Sequence, residues 1–397
     1  MGRTGQEMCW ARCAWAGNLG WRWRIVGLAA VLGCSGSGSR MPDDAGSRVT
    51  LTVTVTGPGS VSRSPDGDVC GAGCVEYPAG TTVVLTPVPQ AGFSVASWHG
   101  GGCDTSGDRP CHITLAADTT VGLDFCTYNR VVDPVAGDDA ASGSCGAPFR
   151  TLTHALAVAP AFATISLRPG RYDAAHGESF PIDIPVGFEV VGDVAGKGAG
   201  AAPVVIEGGD PDFGVAVTLR AGAKLRGVTV RGTMVGIDAS FSALIQDDTI
   251  ENASSTGVQV ALGGGSLKII DNRITGNAFG ISFSDPFDGN GSAGSIVQGN
   301  VIRGNATGVD CAGDCGDLGG GAGGSTGGNQ LICNTLHNLR AATFTAAPLT
   351  FAARNNQWDA APPTRSCATT PSDICESTPQ SVSVVADGYS PTTQPCQ

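Results

Sequence analysis

From Ala223 to Asp359, short apolar runs are broken every few residues by Gly, Asn, Ser or Asp, and the pattern returns about once every two dozen residues. Aligned, the segments are Arg226-Gly-Val-Thr-Val230, Gln246-Asp-Asp-Thr-Ile250, Ile270-Asp-Asn-Arg-Ile274, Gln298-Gly-Asn-Val-Ile302, Ile332-Cys-Asn-Thr-Leu336 and Arg354-Asn-Asn-Gln-Trp358. A polar residue, usually Asn, stands two places before an apolar one. A second echo follows: Gly236-Ile237, Gly257-Val258, Gly280-Ile281 and Gly308-Val309. No unit has enough apolar residues to bury a core alone, so the units must stack. The runs are short and rich in β-branched residues, and no helical stretch of ten residues lies inside the repeat. That excludes helical repeat arrays and predicts a parallel β-helix, one coil per repeat, with coils about 4.8 Å apart. In this register Asp248, Asn272, Asn300, Asn334 and Asn356 form a ladder at one inner corner, where side-chain amides satisfy bent backbone.

This pattern resembles the right-handed parallel β-helix of the pectin-lyase-like superfamily. Ahead of it stand, in order, Val131-Val-Asp-Pro134, Gly137-Asp-Asp139, Gly146-Ala-Pro-Phe-Arg-Thr-Leu-Thr-His-Ala-Leu156, Leu167-Arg-Pro-Gly-Arg-Tyr172 and Gly177-Glu-Ser-Phe-Pro-Ile182. They resemble the DUF1565 family, a domain of unknown function at the head of a β-helix, which implies a fold and no reaction. Thr151 is placed to N-cap a short helix whose Leu152, Ala155, Leu156 and Ala159 share one face. Such a helix would plug the open end of the first coil, with His154 on its surface. Roughly nine coils are expected between Ala163 and Asp359. Residues 360–397 hold Pro and Cys with little periodicity and are expected to wrap the last coil.

Upstream the period changes to two. Thr50-Leu-Thr-Val-Thr-Val-Thr56 alternates as a half-buried strand, and further strand-like runs at 83–85, 93–98 and 121–125 make a small β-domain over 48–126. Its Gly59-Ser-Val61, Cys70, Cys74, Gly80-Thr-Thr-Val-Val-Leu85, Trp98-His-Gly-Gly-Gly-Cys103 and Cys111-His-Ile-Thr-Leu115 resemble a divergent InlB-type bacterial repeat domain, a module of exported proteins. Further upstream, Arg22 and Arg24 precede the apolar run Ile25-Val-Gly-Leu-Ala-Ala-Val-Leu32, too short to span a bilayer. Val31-Leu-Gly-Cys34 then resembles the lipobox of bacterial lipoproteins, which implies that 1–33 is a signal and Cys34 the lipidated residue. Ser35 resembles the outer-membrane sorting choice, and 34–47 is a flexible tether. The whole reads as an all-β chain: signal, tether, small β-domain (48–126), β-helix (127–359) and C-terminal wrap (360–397).

Composition narrows the function classes. Net charge is −12 and charged residues are only 15%, so nothing is present to neutralise phosphates and a nucleic-acid partner is excluded. Of 15 cysteines, Cys9 and Cys13 lie in the signal and Cys34 carries the lipid, leaving twelve, an even number, as in exported disulfide-bonded proteins. Close candidates are Cys70 with Cys74, Cys103 with Cys111, Cys126 with Cys145, and Cys311 with Cys315. Cys333, Cys367, Cys375 and Cys396 remain to fasten the tail. Irregular spacing and the lack of a His cluster argue against zinc.

Three constellations bear on chemistry. Asp247 and Asp248 are adjacent acids, but strand neighbours point to opposite faces and Asp248 aligns with the ladder. Asp238, Gln259, Ser282 and Asp310 stack on one outer face. Asp238 and Asp310 are three coils apart, about 14 Å, too far for a glycosidase pair at about 5–9.5 Å. Third, Asp285, Asp288 and Asn290 on one coil and Asp310, Asp314 and Asp317 on the next offer oxygen ligands for a structural Ca²⁺. Polysaccharide lyases of this fold use Ca²⁺ and a basic residue, which the resemblance would assign to Asp285, Asp310 and Arg273. No cofactor fingerprint is present. The sequence therefore reads as an exported outer-membrane or cell-surface lipoprotein, held at the membrane through lipid alone. Its β-helix binds a glycan or an envelope protein without catalysis; the rival reading is a Ca²⁺-dependent polysaccharide lyase or glycoside hydrolase.

Overall fold

The computed structural model describes residues 47–90, 93–103, 109–126, 130–208, 210, 212–239, 242–260, 266–284, 294–342, 348–377, 382–392 and 396. The alternating stretch forms the strand Arg48–Thr56, which pairs antiparallel with Cys74–Pro78 and parallel with Thr119–Cys126. A five-stranded and a three-stranded sheet enclose Leu51, Val83, Leu85, Val95, Trp98 and Leu123 in a core of their own. The next strand, Arg130–Val132, already belongs to the β-helix, and a Cys126–Cys145 disulfide ties the two domains.

The β-helix is right-handed and built from three parallel sheets of ten, nine and eight strands. Each coil gives one strand to each sheet. Lys268–Ile270, Arg273–Thr275 and Phe279–Ser284 are one such set, and they pair in register with Ile296–Gln298, Val301–Arg303 and Thr307–Ala312 of the next. Inward residues stack into one continuous apolar column from Val132 to Ala386. The helix Leu152–Val158 covers the N-terminal end and buries Leu152, Ala155 and Leu156. Its exposed amides are all met: the Thr151 hydroxyl accepts from His154 N, and the buried Glu178 carboxylate accepts from the amides of Leu152 and Thr153. Negative groups suit a helix N-terminus.

Two corners bend each coil, and both use the same device. The residue before each corner position takes a left-handed backbone: Gly227, Asp247, Asp271, Gly299, Gly328 and Asn355 at the first corner, with φ between 56° and 75°. Gly, Asp and Asn tolerate this conformation best, which is why the repeat shows them there. The Gly-Ile echo has a different cause. A Cβ on Gly280 would lie 2.5 Å from the Gly308 carbonyl oxygen, and one on Gly308 would lie 2.5 Å from the Asn338 oxygen. Successive coils approach too closely there for a side chain.

The ladder register differs from the sequence reading at one rung. The first ladder runs Asp248, Asn272, Asn300, Asn329, Asn356, each amide or carboxylate accepting from the backbone N–H of the coil before. Asn334 belongs to a second ladder at the other corner, Asn277, Asn305, Asn334, which ends on Asn338. The corners are five residues apart and carry the same polar signature, so the alignment slipped from one to the other at the coil whose first corner is widened by the Gly-rich residues 320–328.

The C-terminal region also differs from expectation. Eight strands of the nine-stranded sheet lie before Asp359, and the ninth, Ser390–Pro391, comes from the tail. Ser372–Glu376 and Val382–Val385 join the other two sheets, so residues 372–391 add a coil instead of merely wrapping one. This coil lacks an Asn rung, the signal that marked the coils at Asn272, Asn300, Asn329 and Asn356. Residues 361–370 do cross its end: Arg365 bridges Ile374, and Cys367 is bonded to Cys375. The Arg365 guanidinium donates to the Val384 carbonyl and pairs with Glu376, which accepts from Val384 N. An exposed sheet edge is thereby closed. Arg365→Ala is expected to lower stability by about 1–3 kcal/mol and to promote self-association, measured by thermal melting and light scattering; an unchanged melt with a monodisperse solution would refute the capping role.

Candidate functional site

The outer face of the eight-stranded sheet carries a row of side chains whose middle is not engaged by other side chains among the described residues. Pairing places Asp183, Thr218, Asp238, Gln259, Ser282, Asp310, Arg340 and Cys375 side by side, one per coil. Their strand neighbours Ile237, Val258, Ile281 and Val309 point into the core, so the row itself must face outward. At its N-terminal end the Arg220 guanidinium clamps Asp183, with Nε and Nη2 donating at 2.7 and 2.9 Å. At its C-terminal end the Arg340 guanidinium clamps Asp310 in the same two-pronged way. Between the clamps, Asp238, Gln259 and Ser282 are half-buried and make no side-chain hydrogen bond or ion pair among the described residues. Asp238 Oδ1 is buried without a partner. Burial raises the Asp238 carboxyl above its usual range, and the Arg220 charge opposes this only in part.

Three residues before this row stand Val235, Thr256, Phe279, Thr307 and His337, all buried except Phe279, which is partly exposed. The Arg340 guanidinium lies over the Phe279 ring, 5.8 Å from its centroid, a cation–π geometry. His337 is buried, and its Nδ1 meets Ser372 Oγ at 2.9 Å. Burial and the Arg340 charge hold its basicity below the usual imidazole value. Ser372 Oγ donates to the Ser366 carbonyl at 2.6 Å, so this hydroxyl is a structural link and no activated nucleophile.

The other sequence-derived candidates separate. Asp248 is fully buried at the head of the first ladder, while Asp247 sits on the outer corner and pairs with Lys197 at 3.1 Å. Arg273 lies in the nine-stranded sheet and Asp310 in the eight-stranded one, so the base and acid proposed for a lyase face different sides of the coil. Alternation and the corner between the strands decide this, and the linear sequence hid it. Asp285, Asp288 and Asn290 lie outside the described residues.

The described acids of the Ca²⁺ cluster are already engaged. Asp310 has both oxygens on Arg340. Asp314 accepts from Gly316 N, and the buried Asp317 carboxylate accepts from the amides of Gly319, Gly321 and Ser325. Asp310 and Asp317 thus have both carboxylate oxygens engaged by the protein, and no catalytic step is derived through a calcium ion. The single close group of potential metal ligands among the described residues is Cys333, Asp359 and Cys396, and its two sulfurs are bonded to each other. All twelve cysteines outside 1–46 are paired: the four sequence-close pairs, Cys333–Cys396 and Cys367–Cys375.

Residues 135–365, more than half of the chain, match the family described as "Protein of unknown function (DUF1565)". The chain belongs to this family. The DUF1565 span includes the capping helix, both ladders and the whole outward row from Asp183 to Arg340. No curated protein matches the chain. Among solved structures the chain is similar to "pectate lyase Pel9A" (14% identity, 67% of this chain and 78% of that one, TM-score 0.42). It is also similar to a "Rhamnogalacturonan lyase" (13% identity, 58% and 67%, TM-score 0.40) and to "Pectin methylesterase from Carrot" (13% identity, 68% and 85%, TM-score 0.38). Among the described residues no helix is long and apolar enough to cross a membrane.

Proposed function

We propose that this protein is an exported, lipid-anchored envelope protein whose β-helix binds a glycan chain along the outer face of the eight-stranded sheet, without cleaving it. One observation carries the reading: Asp238, Gln259 and Ser282 form an unbroken row of unused hydrogen-bonding groups between two ion-paired clamps. The buried, unpaired Oδ1 of Asp238 costs folding free energy, and with the partly exposed Gln259 and Ser282 beside it on rigid strands the row suits a ligand that supplies the partners. Their spacing, about 4.8 Å per coil, is close to the length of one pyranose unit. In the flanking row the partly exposed Phe279 offers apolar surface to a sugar ring face.

Turnover has less support. Depolymerisation needs a proton donor and acceptor on either side of one bond. Asp310 is held by Arg340, Asp238 lies about 14 Å away, and His337 is buried against Ser372. The test is titration of the protein against a panel of oligosaccharides, with product analysis. We expect binding that Gln259→Ala plus Ser282→Ala weakens by about tenfold or more, and no shortened product. Product formation abolished by Asp310→Ala would make this an enzyme instead.

The anchor is proposed on Cys34, and six disulfides support export to an oxidising compartment. Cys34→Ser should release the protein from membranes in unacylated form. Mass spectrometry showing a different mature N-terminus and no acyl chain would remove this part of the proposal.

A further inference from the structure

The charges on the outward row define what kind of glycan it accepts. Its acids are Asp183, Asp238 and Asp310, and its cations are Arg220 and Arg340. Each guanidinium is committed through two donors to one acid, Arg220 to Asp183 and Arg340 to Asp310. Asp238 remains as the one acid of the row without an ion pair, and its oxygen Oδ1 is buried without a partner. His337, held against Ser372 with depressed basicity, adds no positive charge near neutral pH. The three lysines are elsewhere: Lys224 and Lys268 are in the ten-stranded sheet, and Lys197 reaches Asp247.

We infer that the row takes a glycan free of carboxylates, with a hydroxyl or ammonium donor of one sugar seated on Asp238. This rests on the binding reading above and adds the ligand class. A uronate would bring like charge to a row with no unpaired cation among the described residues, a repulsion felt at low salt and weakened by added salt because the positions are partly exposed. A hydroxyl or ammonium gives Asp238 the donor it lacks, and a charge-assisted contact is the stronger of the two.

The experiment titrates the full protein at low salt with three probes of equal length: β-1,4-linked glucosamine, its N-acetylated neutral form, and galacturonate oligomers. Glucosamine and neutral oligomers should bind, and galacturonate at least about tenfold more weakly. Asp238→Asn should weaken glucosamine binding by about tenfold and narrow the gap to galacturonate. In the unaltered protein, rising salt should narrow the same gap, which keeps the idea testable if the variant folds poorly. Galacturonate bound as tightly as the others, or a gap that neither Asp238→Asn nor salt changes, would overturn this inference and leave glycan binding standing. Binding of none of the three would overturn both.

Discussion

Asn300→Leu is expected to lower the melting temperature by on the order of 10 °C, the largest loss predicted for a single substitution here. Asn300 is fully buried and fully used. Its Oδ1 accepts from the backbone and side chain of Asn272, and its Nδ2 donates to the carbonyls of Ile269 and Gln298 and to Asn329 Oδ1. Leucine removes these contacts and leaves donors and acceptors of three coils buried without partners. Each such group costs about 1–3 kcal/mol, so a total loss of about 3–5 kcal/mol is expected after local relaxation. The same experiment decides the register. Asn300 bonds to Asn329, while Asn334 belongs to the other corner. A double-mutant cycle should therefore show strong coupling between Asn300→Leu and Asn329→Leu and near-additivity between Asn300→Leu and Asn334→Leu. Coupling confined to the Asn300–Asn334 pair would restore the register read from the sequence.

Asp248→Asn is expected to stabilise the protein near neutral pH by about 2 kcal/mol and to flatten its stability in the weakly acid range. Asp248 heads a ladder whose other rungs, Asn272, Asn300, Asn329 and Asn356, are all asparagine. Its Oδ1 accepts from Val228 N, but its Oδ2 is buried with no partner. Further along, Asn272 and Asn300 each donate Nδ2 to the previous coil, to Ile245 and Ile269. Leu225 pairs with Ile245 and occupies the same place one coil earlier. An asparagine at 248 can donate to the Leu225 carbonyl; a carboxylate cannot. Burial, with the Asp247 charge adding, pushes the Asp248 carboxyl well above its ordinary range, so the folded protein holds this proton at pH values where the unfolded chain has released it. The native state then binds more protons, and stability falls as pH rises from the ordinary carboxylate range through the raised folded value. The asparagine variant should lack that decline, as denaturant titrations from about pH 4 upward would reveal. A variant less stable than the parent at neutral pH would show that the carboxylate is needed.

Much of this architecture is written in local chemistry. Left-handed corners favour Gly, Asn or Asp, and close coil contacts demand Gly at 236, 257, 280 and 308, so both recur as visible marks. The capping helix announces itself through Thr151 and an apolar face, because capping depends on residues within one turn. Period-two alternation in 50–56 marks the first strand of the small domain. The row of Asp238, Gln259, Ser282 and Asp310 was also legible, since each follows its Gly-apolar mark at a fixed distance.

What the sequence left open depended on insertions and on partners distant along the chain. Two corners share one signature, and only the pairing of Asn300 with Asn329 tells which corner Asn334 serves. The tail joins the solenoid through strands without an Asn rung, and its place follows from pairing with His337–Ala342 and Leu349–Ala353. The state of each acid was decided the same way. Asp310 and Asp238 look alike in the repeat, yet an arginine thirty residues on is bonded to the first, while the buried Oδ1 of the second has no hydrogen-bond partner. The linear pattern fixes which way a side chain points, because alternation and corner geometry are local. Tertiary structure alone determines whether it meets a partner there, because that partner comes from another coil at a separation set by loop length.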